Sequence, residues 1–163
     1  MSCMPVQYKA DRFHTVTPHL TVKGASDYID FLKRAFGAVE SSRSPGPGGK
    51  LMHAEMLIGD SVLMLNDDFP EFGGPPIAEG SWPMTLHMYV PDADAVFAQA
   101  TAAGCEVTMP LSDQFWGDRY GQVKDPFGYR WAIATRKEEL TPAEMQQRAA
   151  KMFGGGPPAA AAS

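Results

Sequence analysis

The chain contains two copies of one segment, and this internal repeat constrains the fold more than any other feature. The segment PHLTVKGASDYIDFLKRAFGAVE (18–40) aligns with LHMYVPDADAVFAQATAAGCEV (86–107). His19 falls on His87 in this alignment, and the glycines that follow the two helical patterns match after a one-residue shift. Each copy has the order strand, helix, glycine, strand. The repeat therefore predicts that one structural unit occurs twice.

Both predicted helices combine an apolar stripe with signals at their ends. Apolar residues recur at spacings of three and four, which is typical of a helix with one buried face. The stripes are Ala25, Tyr28, Ile29, Leu32, Ala35 and Phe36 in the first copy and Ala93, Val96, Phe97 and Ala100 in the second. Ser26 or Asp27 is predicted to cap the first helix and Asp92 the second, because short polar side chains accept hydrogen bonds from free N–H groups. Gly37 and Gly104 are predicted to end them.

Each copy continues into a predicted β-hairpin. In KLMHAEMLIGDSVLMLND (50–67) two strand-like runs flank a Gly59–Asp60 turn, and in YGQVKDPFGYRWAIAT (120–135) they flank the turn DPFG. Each half reads βαβββ, which predicts an α+β fold of paired modules over residues 13–68 and 82–137. The intervening FPEFGGPPIAEGSWP is rich in Pro and Gly and is predicted to be a linker.

The two ends of the chain lie outside the repeat. Residues 1–12 are expected to form a flexible segment, and residues 154–163, GGGPPAAAAS, a disordered low-complexity tail. A C-terminal helix is predicted over residues 138–153. The sequence LTPAE places Thr141 three residues before Glu144, which is a capping-box pattern, and has a proline at the first helical position.

Charge and composition limit the partners of the chain. The formal net charge is -5 without a basic stripe, which argues against nucleic-acid binding. No apolar run reaches the roughly 18–20 residues of a membrane span, and the first residues lack the pattern of a signal peptide. The expected location is therefore cytoplasmic, with no membrane partner. Cys3 and Cys105 do not make a disulfide scaffold, and nothing near Cys105 in the sequence activates its thiol.

The segment WGDRYGQVKDPFGYRW (116–131) is the densest cluster of glycines, rings and charges. It is not a phosphate-binding loop, because no helix follows its glycines, and it presents no Ser or Cys at a strand-to-helix turn. A hairpin beside a binding cavity is the interpretation that is left. Arg119 then either forms a structural ion pair or clamps an anionic ligand. Trp116 and Tyr120 either stack on a ligand or pack as core, whereas Trp131 is predicted to point into the core.

Several stretches together resemble the vicinal oxygen chelate superfamily, which includes glyoxalase I, bleomycin-resistance proteins and extradiol dioxygenases. The resemblance is nearest to its PhnB-like branch. The stretches are HTVTPHLTVKGASDYIDFLKRAFGAVE, HAEMLIGDSVLMLND, FWGDRYGQVKDPFGYRW and LTPAEMQQR. The resemblance implies two modules whose sheets curl into a cup, within a homodimer, with a cavity for a small molecule on the cup face.

Metal-using members of this superfamily hold a divalent cation at four cup positions, usually two His or Gln and two carboxylates. Carried over residue by residue, these positions are His19, Met64 or Leu63, His87 and Ala132. The resemblance therefore implies that both anionic ligands are absent, so neither the metal nor any other cofactor is expected. His19 and His87 are then remnants of the site. The nearest substitute ligands are His53, Glu55 and Asn66.

Three functions follow from these observations. The first is a small-molecule-binding protein of the bleomycin-resistance type, which binds or sequesters an aromatic or hydrophobic ligand without metal. The alternative is a metal-dependent lyase, isomerase or dioxygenase that uses substitute ligands. A third is an interaction module whose cup is filled by its own side chains. The predicted cup residues are His19, Met64, His87, Trp116, Arg119, Tyr120 and Ala132.

Overall fold

A computed structural model describes residues 6–73, 77 and 83–154. Within these residues the chain forms two four-stranded mixed sheets and three α-helices, so the predicted α+β fold is confirmed. The chain divides into two compact units between residues 80 and 81, called unit 1 and unit 2 below. Residues 1–5, most of the predicted linker, and the predicted tail from residue 155 onward lie outside the described residues.

Unit 1 has the predicted order of one strand, one helix and three strands. Its sheet has the strand order β1-β4-β3-β2, with β1 parallel to β4 and the other neighbours antiparallel. The elements are β1 (His19–Val22), α1 (Ala25–Phe36), β2 (Val39–Pro45), β3 (Leu51–Ile58) and β4 (Ser61–Asp67). Strand β1 begins at His19, and Val16, which precedes it, is exposed.

Unit 2 repeats the arrangement of unit 1. Its sheet has the order β5-β8-β7-β6, again with one parallel pair, β5 and β8. The elements are β5 (Thr85–Tyr89), α2 (Ala93–Ala102), β6 (Glu106–Asp113), β7 (Asp118–Lys124), β8 (Arg130–Arg136) and the C-terminal α3 (Pro142–Phe153). The predicted repeat of βαβββ is therefore confirmed.

Each unit packs its helix against one face of its sheet. In unit 1 the stripe of α1 includes the buried Ile29 and Leu32, and Met56 and Leu65 are buried on the strands. Complete burial of such a side chain contributes about 1.5–3 kcal/mol. Because successive strand residues point to opposite faces, their neighbours project to the other side of the sheet. We call that second side the open face of each unit, and it carries the candidate site residues.

The start of α1 is not capped by Ser26 or Asp27, so that prediction is wrong. Asp67, at the end of β4, accepts hydrogen bonds from the backbone N–H groups of Gly24 and Ala25 at 3.0 and 2.9 Å. The carboxylate of a distant strand thus takes the place of a local cap.

Three other helix ends agree with the predictions, whereas α2 ends at Ala102 with Ala103 as its cap, and Gly104 follows one residue later with a positive φ. Asp92 accepts a hydrogen bond from the backbone of Ala95 at 3.1 Å, and Gly37 ends α1 with a left-handed backbone. Thr141 and Glu144 form the predicted capping box at the start of α3. Within the described ranges 6–73, 77 and 83–154, none of the helices has the length and apolar character needed to cross a membrane.

Candidate functional site

The open face of unit 1 carries the first predicted site residue, His19. The register places His19 opposite Met64 on β4, and Met64 opposite Glu55 on β3. Paired residues of neighbouring strands point to the same side of a sheet, so these three side chains share the open face. Leu63, the alternative to Met64, pairs with Met56, and both are buried on the helix side. Met64 is therefore the residue beside His19.

A group of charged and ring side chains lies around Glu55. The guanidinium of Arg12 donates two hydrogen bonds to its carboxylate, from Nε to Oε2 at 2.9 Å and from Nη2 to Oε1 at 3.1 Å. His53 Nε2 lies 3.4 Å from Glu55 Oε1, and the ring centroids of His53 and His19 are 5.6 Å apart, edge to face. Hydrogen bonding from Arg12 lowers the pKa of Glu55, against the burial that raises it.

The sequence pattern indicates only part of this group. It points to His53 and Glu55 as substitute metal ligands, but it does not point to Arg12, which lies 43 residues before its partner in the expected flexible segment. The third substitute, Asn66, accepts a hydrogen bond from Thr21 at 3.3 Å on the same face. The contact between Arg12 and Glu55 joins the segment before β1 to β3, and no local sequence pattern indicates such a contact.

The open face of unit 2 carries His87, the repeat equivalent of His19. His87 lies on β5 opposite Ala132 on β8. One step along the same face, Ala134 lies between Tyr89 on β5 and Tyr120 on β7. The predicted positions His87, Tyr120 and Ala132 therefore share one face of this sheet. Tyr89 joins them, and alternation with His87 along β5 would have been enough to predict it.

Four rings form a cluster on this face, called the ring cluster: His87, Tyr89, Trp116 and Tyr120. The ring centroid of His87 lies 4.7 Å from that of Tyr89 and 5.7 Å from that of Tyr120. The rings of Trp116 and Tyr120 meet edge to face at 5.4 Å. Beneath them the small side chains of β8 are covered, since Ala132 and Ala134 are both 0% exposed.

Asp118 fixes two members of the ring cluster. Its carboxylate oxygen Oδ2 accepts hydrogen bonds from the hydroxyl of Tyr89 and from the indole N–H of Trp116, both at 3.0 Å. Asp118 is 5% exposed, so its charge is satisfied by these donors inside the protein. The hydrogen bond to Asp118 is the main reason why the pKa of Tyr89 is raised. Asp118 was not among the predicted site residues.

Arg119 does not line the open face, which corrects its predicted place in the cup. It pairs with Thr135, one position out of step with Tyr120, and so points to the helix side of the sheet. Its guanidinium binds both carboxylate oxygens of Asp94, at the start of α2, at 2.9 Å, and reaches Asp113 at 3.3 Å. The structural ion pair, rather than a ligand clamp, is the alternative that the structure supports.

Two further rings, Phe115 just before the segment 116–131 and Trp131 at its end, also take defined places. Phe115 meets Trp116 edge to face at 5.1 Å and meets Phe153 of α3 at 5.8 Å. Trp131 is 4% exposed and donates its indole N–H to Asp125 at 2.9 Å, so its predicted core position is confirmed.

A shallow open depression of about 500 Å³ lies at the end of the ring cluster. It is lined by Tyr89, Val90, Pro91, Thr135 and Arg136. A volume of this size falls in the range of small-molecule sites. Its lining combines one aromatic side chain with apolar side chains, one hydroxyl and one guanidinium, which suits a planar ligand better than a strongly polar one.

The donor set does not fit the metal that the superfamily implies. Of the four matched positions, Met64 and Ala132 offer no anionic oxygen, while a zinc site ordinarily holds its cation with at least three protein ligands. Among residues 6–73, 77 and 83–154, no three His, Cys, Asp or Glu side chains are placed to hold a metal ion. The acid nearest to His19 in register, Glu55, is already bound by Arg12.

Each βαβββ module packs a helix against one face of its sheet and leaves the other face open. This arrangement, present twice, defines a class of proteins built from paired modules. The Glyoxalase/Bleomycin resistance protein/Dioxygenase superfamily model matches residues 12–133, and the chain belongs to this superfamily. The Mycobacterium tuberculosis protein Rv0887c is 46% identical over 135 residues, which cover 80% of this chain and 79% of that protein.

Solved structures agree with this assignment. The crystal structure of TioX from Micromonospora sp. ML1 matches with a TM-score of 0.59 at 25% identity, covering 78% of this chain and 100% of TioX. The PhnB protein from Bacillus cereus matches with a TM-score of 0.61 at 20% identity, covering 75% of this chain and 99% of that protein. The second similarity concerns the fold alone. Both similarities agree with the fold that the superfamily resemblance implies.

Proposed function

We propose that this protein binds a small aromatic or otherwise hydrophobic ligand against the ring cluster of unit 2, without a metal ion. The observation that carries the proposal is that Tyr89, although hydrogen-bonded to Asp118, keeps 64% of its surface exposed. An exposed ring in a fixed orientation offers a stacking surface to a planar ligand. Tyr89 thus joins Trp116, Tyr120 and His87 as a candidate contact, with Ala132 beneath them.

The ring cluster supports binding because its side chains are already ordered. Asp118 holds Tyr89 and Trp116, and the hydroxyl of Tyr120 accepts a hydrogen bond from Gln122 at 2.7 Å. A ligand therefore does not have to immobilise free rotamers, a cost of about 0.5–1.5 kcal/mol for each side chain that is ordered on binding. Rings held by hydrogen bonds are suited to recognition of flat molecules.

The lining of the depression beside Tyr89 narrows the ligand class. Val90 and Pro91 provide apolar contacts, while Arg136 provides a positive charge. Arg136 is paired only at the surface, with Glu139 at 3.5 Å, and such exposed pairs are weak. We therefore expect an aromatic ligand with an acidic substituent to bind better than its neutral analogue.

A metal-dependent lyase, isomerase or dioxygenase is the second candidate. It is favoured by the gathering of His19, His53 and Glu55 on the open face of unit 1. It is weakened because the side chain of Met64 is neutral and because Arg12 already binds the carboxylate of Glu55. An interaction module without a ligand is favoured only by the way the rings cover Ala132.

The proposal includes a homodimer in the cytoplasm, without nucleic-acid or membrane partners. The homodimer rests on the resemblance to the superfamily, and its test is the mass of the purified protein in solution. The net charge of -5 supports the exclusion of nucleic acid. The free thiol of the buried Cys105 agrees with a reducing compartment.

The ligand-binding proposal is tested with a library of planar aromatic fragments that includes 2-naphthoate and 2-naphthol. Binding is followed through the NMR signal of the Trp116 indole N–H, which is assigned with a Trp116→Phe variant. We expect fragments of this class to shift that signal, with 2-naphthoate binding more tightly than 2-naphthol.

Variants locate the binding surface. Tyr89→Ala should weaken 2-naphthoate binding by roughly tenfold, because a stacked ring pair and its buried area are lost. Tyr8→Ala is the matched control, since Tyr8 is also an exposed tyrosine but is not a member of the ring cluster. If no fragment shifts the Trp116 signal, or if Tyr89→Ala binds as well as the unaltered protein, the proposal fails and an interaction module becomes the better reading.

A further inference from the structure

Alternate positions of β7 place three hydrogen-bond donors on the open face of unit 2. Tyr120, Gln122 and Lys124 lie two residues apart on this strand, and all three are partly exposed. Tyr120 pairs with Ala134, and Gln122 pairs with Ala132, on that face. Because side chains alternate along a strand, a hydroxyl, an amide and an ammonium group follow one another away from the ring cluster. We call these three residues the donor row.

The hydroxyl of Tyr120 has its own proton available for a ligand. Gln122 Nε2 donates a hydrogen bond to the oxygen of Tyr120 at 2.7 Å, so the hydroxyl is the acceptor in that bond. A hydroxyl that accepts one hydrogen bond donates its own proton more strongly to the next acceptor. Contacts with the rings of His87 and Trp116 hold the tyrosine in place. The proton is therefore presented from an ordered ring beside the proposed stacking surface.

Lys124 gives the end of the donor row a positive charge. Its register partner on β8 is Arg130, and like charges directly opposite each other in a sheet are destabilising. Its register partner on β6, Glu106, is exposed. Within the ranges 6–73, 77 and 83–154 that the structure describes, Lys124 forms no ion pair. An anionic oxygen bound beside Lys124 would offset the repulsion between the two cations.

The donor row and Arg136 lie at different ends of the ring cluster. Arg136 pairs with Asp118, which precedes Tyr120 by two residues and Gln122 by four. At the usual rise of a strand, Arg136 lies roughly 7–13 Å along the sheet from this part of the donor row. An aromatic skeleton of two fused rings with an acidic group at each end can span such a separation.

We propose that the donor row binds a second acidic group of the aromatic ligand, so that the ligand is an aromatic dicarboxylate whose other acid lies near Arg136. The hydroxyl of Tyr120 and the second N–H of Gln122 Nε2 donate hydrogen bonds to the carboxylate, and Lys124 balances its charge. This inference rests on the proposed function, because it concerns the same ring cluster. It defines the chemical class of the ligand more closely.

The test compares naphthalene-2,6-dicarboxylate with its monomethyl ester by isothermal titration calorimetry. The two molecules have nearly the same shape, but the ester carries one negative charge instead of two. We expect the unaltered protein to bind the dicarboxylate at least about fivefold more tightly, because hydrogen bonds to charged groups are the stronger ones. In Lys124→Met the ratio of the two affinities should fall to about two, which is the statistical advantage of a ligand with two equivalent ends.

Two further variants address the hydroxyl and the amide. Tyr120→Phe keeps the ring and should weaken dicarboxylate binding by about three- to tenfold, because one hydrogen bond to a charged group is lost. Gln122→Met removes both N–H groups of the amide and should also weaken it. Lys23→Met is the matched control, since Lys23 is an exposed lysine of unit 1, and it should leave the ratio unchanged. Melting curves show whether each variant is folded.

Three outcomes overturn the inference. The first is an affinity ratio of about two or less in the unaltered protein. The second is a ratio that stays equally high in Lys124→Met and in Lys23→Met, which would place the second acid elsewhere. The third is tighter dicarboxylate binding by Gln122→Met, which would show that Tyr120 already donates its proton to the amide oxygen of Gln122.

The same titrations separate this inference from the proposed function. If both ligands bind to the unaltered protein with comparable affinity, the aromatic site stands and only the dicarboxylate class is wrong. If neither ligand binds, the proposed function fails, and the inference fails with it.

Discussion

The hydroxyl of Tyr89 donates a hydrogen bond of 3.0 Å to the carboxylate of Asp118, 29 positions further along the chain. The same oxygen accepts the indole N–H of Trp116. One buried acid therefore joins the first strand of unit 2 to its hairpin and orients two rings of the open face. The stability of the fold and the order of the candidate site depend here on the same group.

Replacement of Asp118 should destabilise unit 2. In Asp118→Asn the charge is lost, and the amide cannot accept both donors with equal strength. We expect the free energy of unfolding to fall by about 1–3 kcal/mol, as for other hydrogen bonds to buried charged groups. Urea denaturation measures the change. Asp113→Asn is the control, because Asp113 is an exposed partner of Arg119. An equal loss of unfolding free energy in both variants would contradict the role of Asp118.

The Tyr89–Asp118 bond also predicts a dependence of stability on alkaline pH. The pKa of Tyr89 is raised in the folded protein, first by its hydrogen bond to Asp118 and then by burial. The unfolded chain therefore loses this proton at lower pH than the folded one. The stabilisation is complete below the ordinary tyrosine pKa of about 10 and is lost as pH rises through the folded pKa.

Tyr89→Phe removes the titrating hydroxyl and so isolates its contribution to the pH dependence of stability. The free energy of unfolding of the unaltered protein should decline more steeply between about pH 9 and pH 11 than that of the variant. Burial raises the pKa of Tyr129 to about 12, so Tyr129 contributes to the decline in both proteins and cancels in the comparison. Parallel declines would show that the bond between Tyr89 and Asp118 does not couple to stability.

Asp67 should be the most sensitive acid of unit 1. Its carboxylate accepts backbone hydrogen bonds from Gly24, Ala25 and Leu51 at 2.7–3.0 Å and is 5% exposed. Asp67→Ala leaves these N–H groups without their acceptor, so we expect a loss of about 3 kcal/mol or more in the free energy of unfolding. Asp60→Ala in the exposed hairpin turn should cost less than about 0.5 kcal/mol. Thermal or urea unfolding of the two variants decides the point.

Cys105 should be unreactive in the folded protein. It is 6% exposed, and burial raises the pKa of its thiol to about 12. A Cys3→Ser variant leaves one thiol, whose rate of alkylation by iodoacetamide can be measured near pH 8. We expect that rate to be at least about a hundredfold lower in the folded protein than in urea, because little thiolate forms and access is blocked. Similar rates would mean that the thiol is exposed and active.

The site residues could be predicted only where alternation along one strand was enough. His19 and His87 lie on the open faces of their units, and the repeat alignment matches them at the same position of the first strand. The choice between Leu63 and Met64 needed the pairing of β4 with β1. Arg119 was assigned to the wrong face, because it and Tyr120 were both placed in the cup, whereas β7 already begins at Asp118 and successive strand residues point to opposite faces.

Sequence alone determined the local signals: the caps at Asp92 and Thr141, the end of α1 at Gly37, and the repeated order of strands and helices. These depend on backbone geometry and on residues within a few positions, so the physical cause is present in the sequence itself. Tertiary structure alone decided that Asp67 caps α1, that Arg12 binds Glu55, and which rings Asp118 holds. Those contacts join residues far apart in the chain, and their partners are selected by strand register and burial, which only the folded chain possesses.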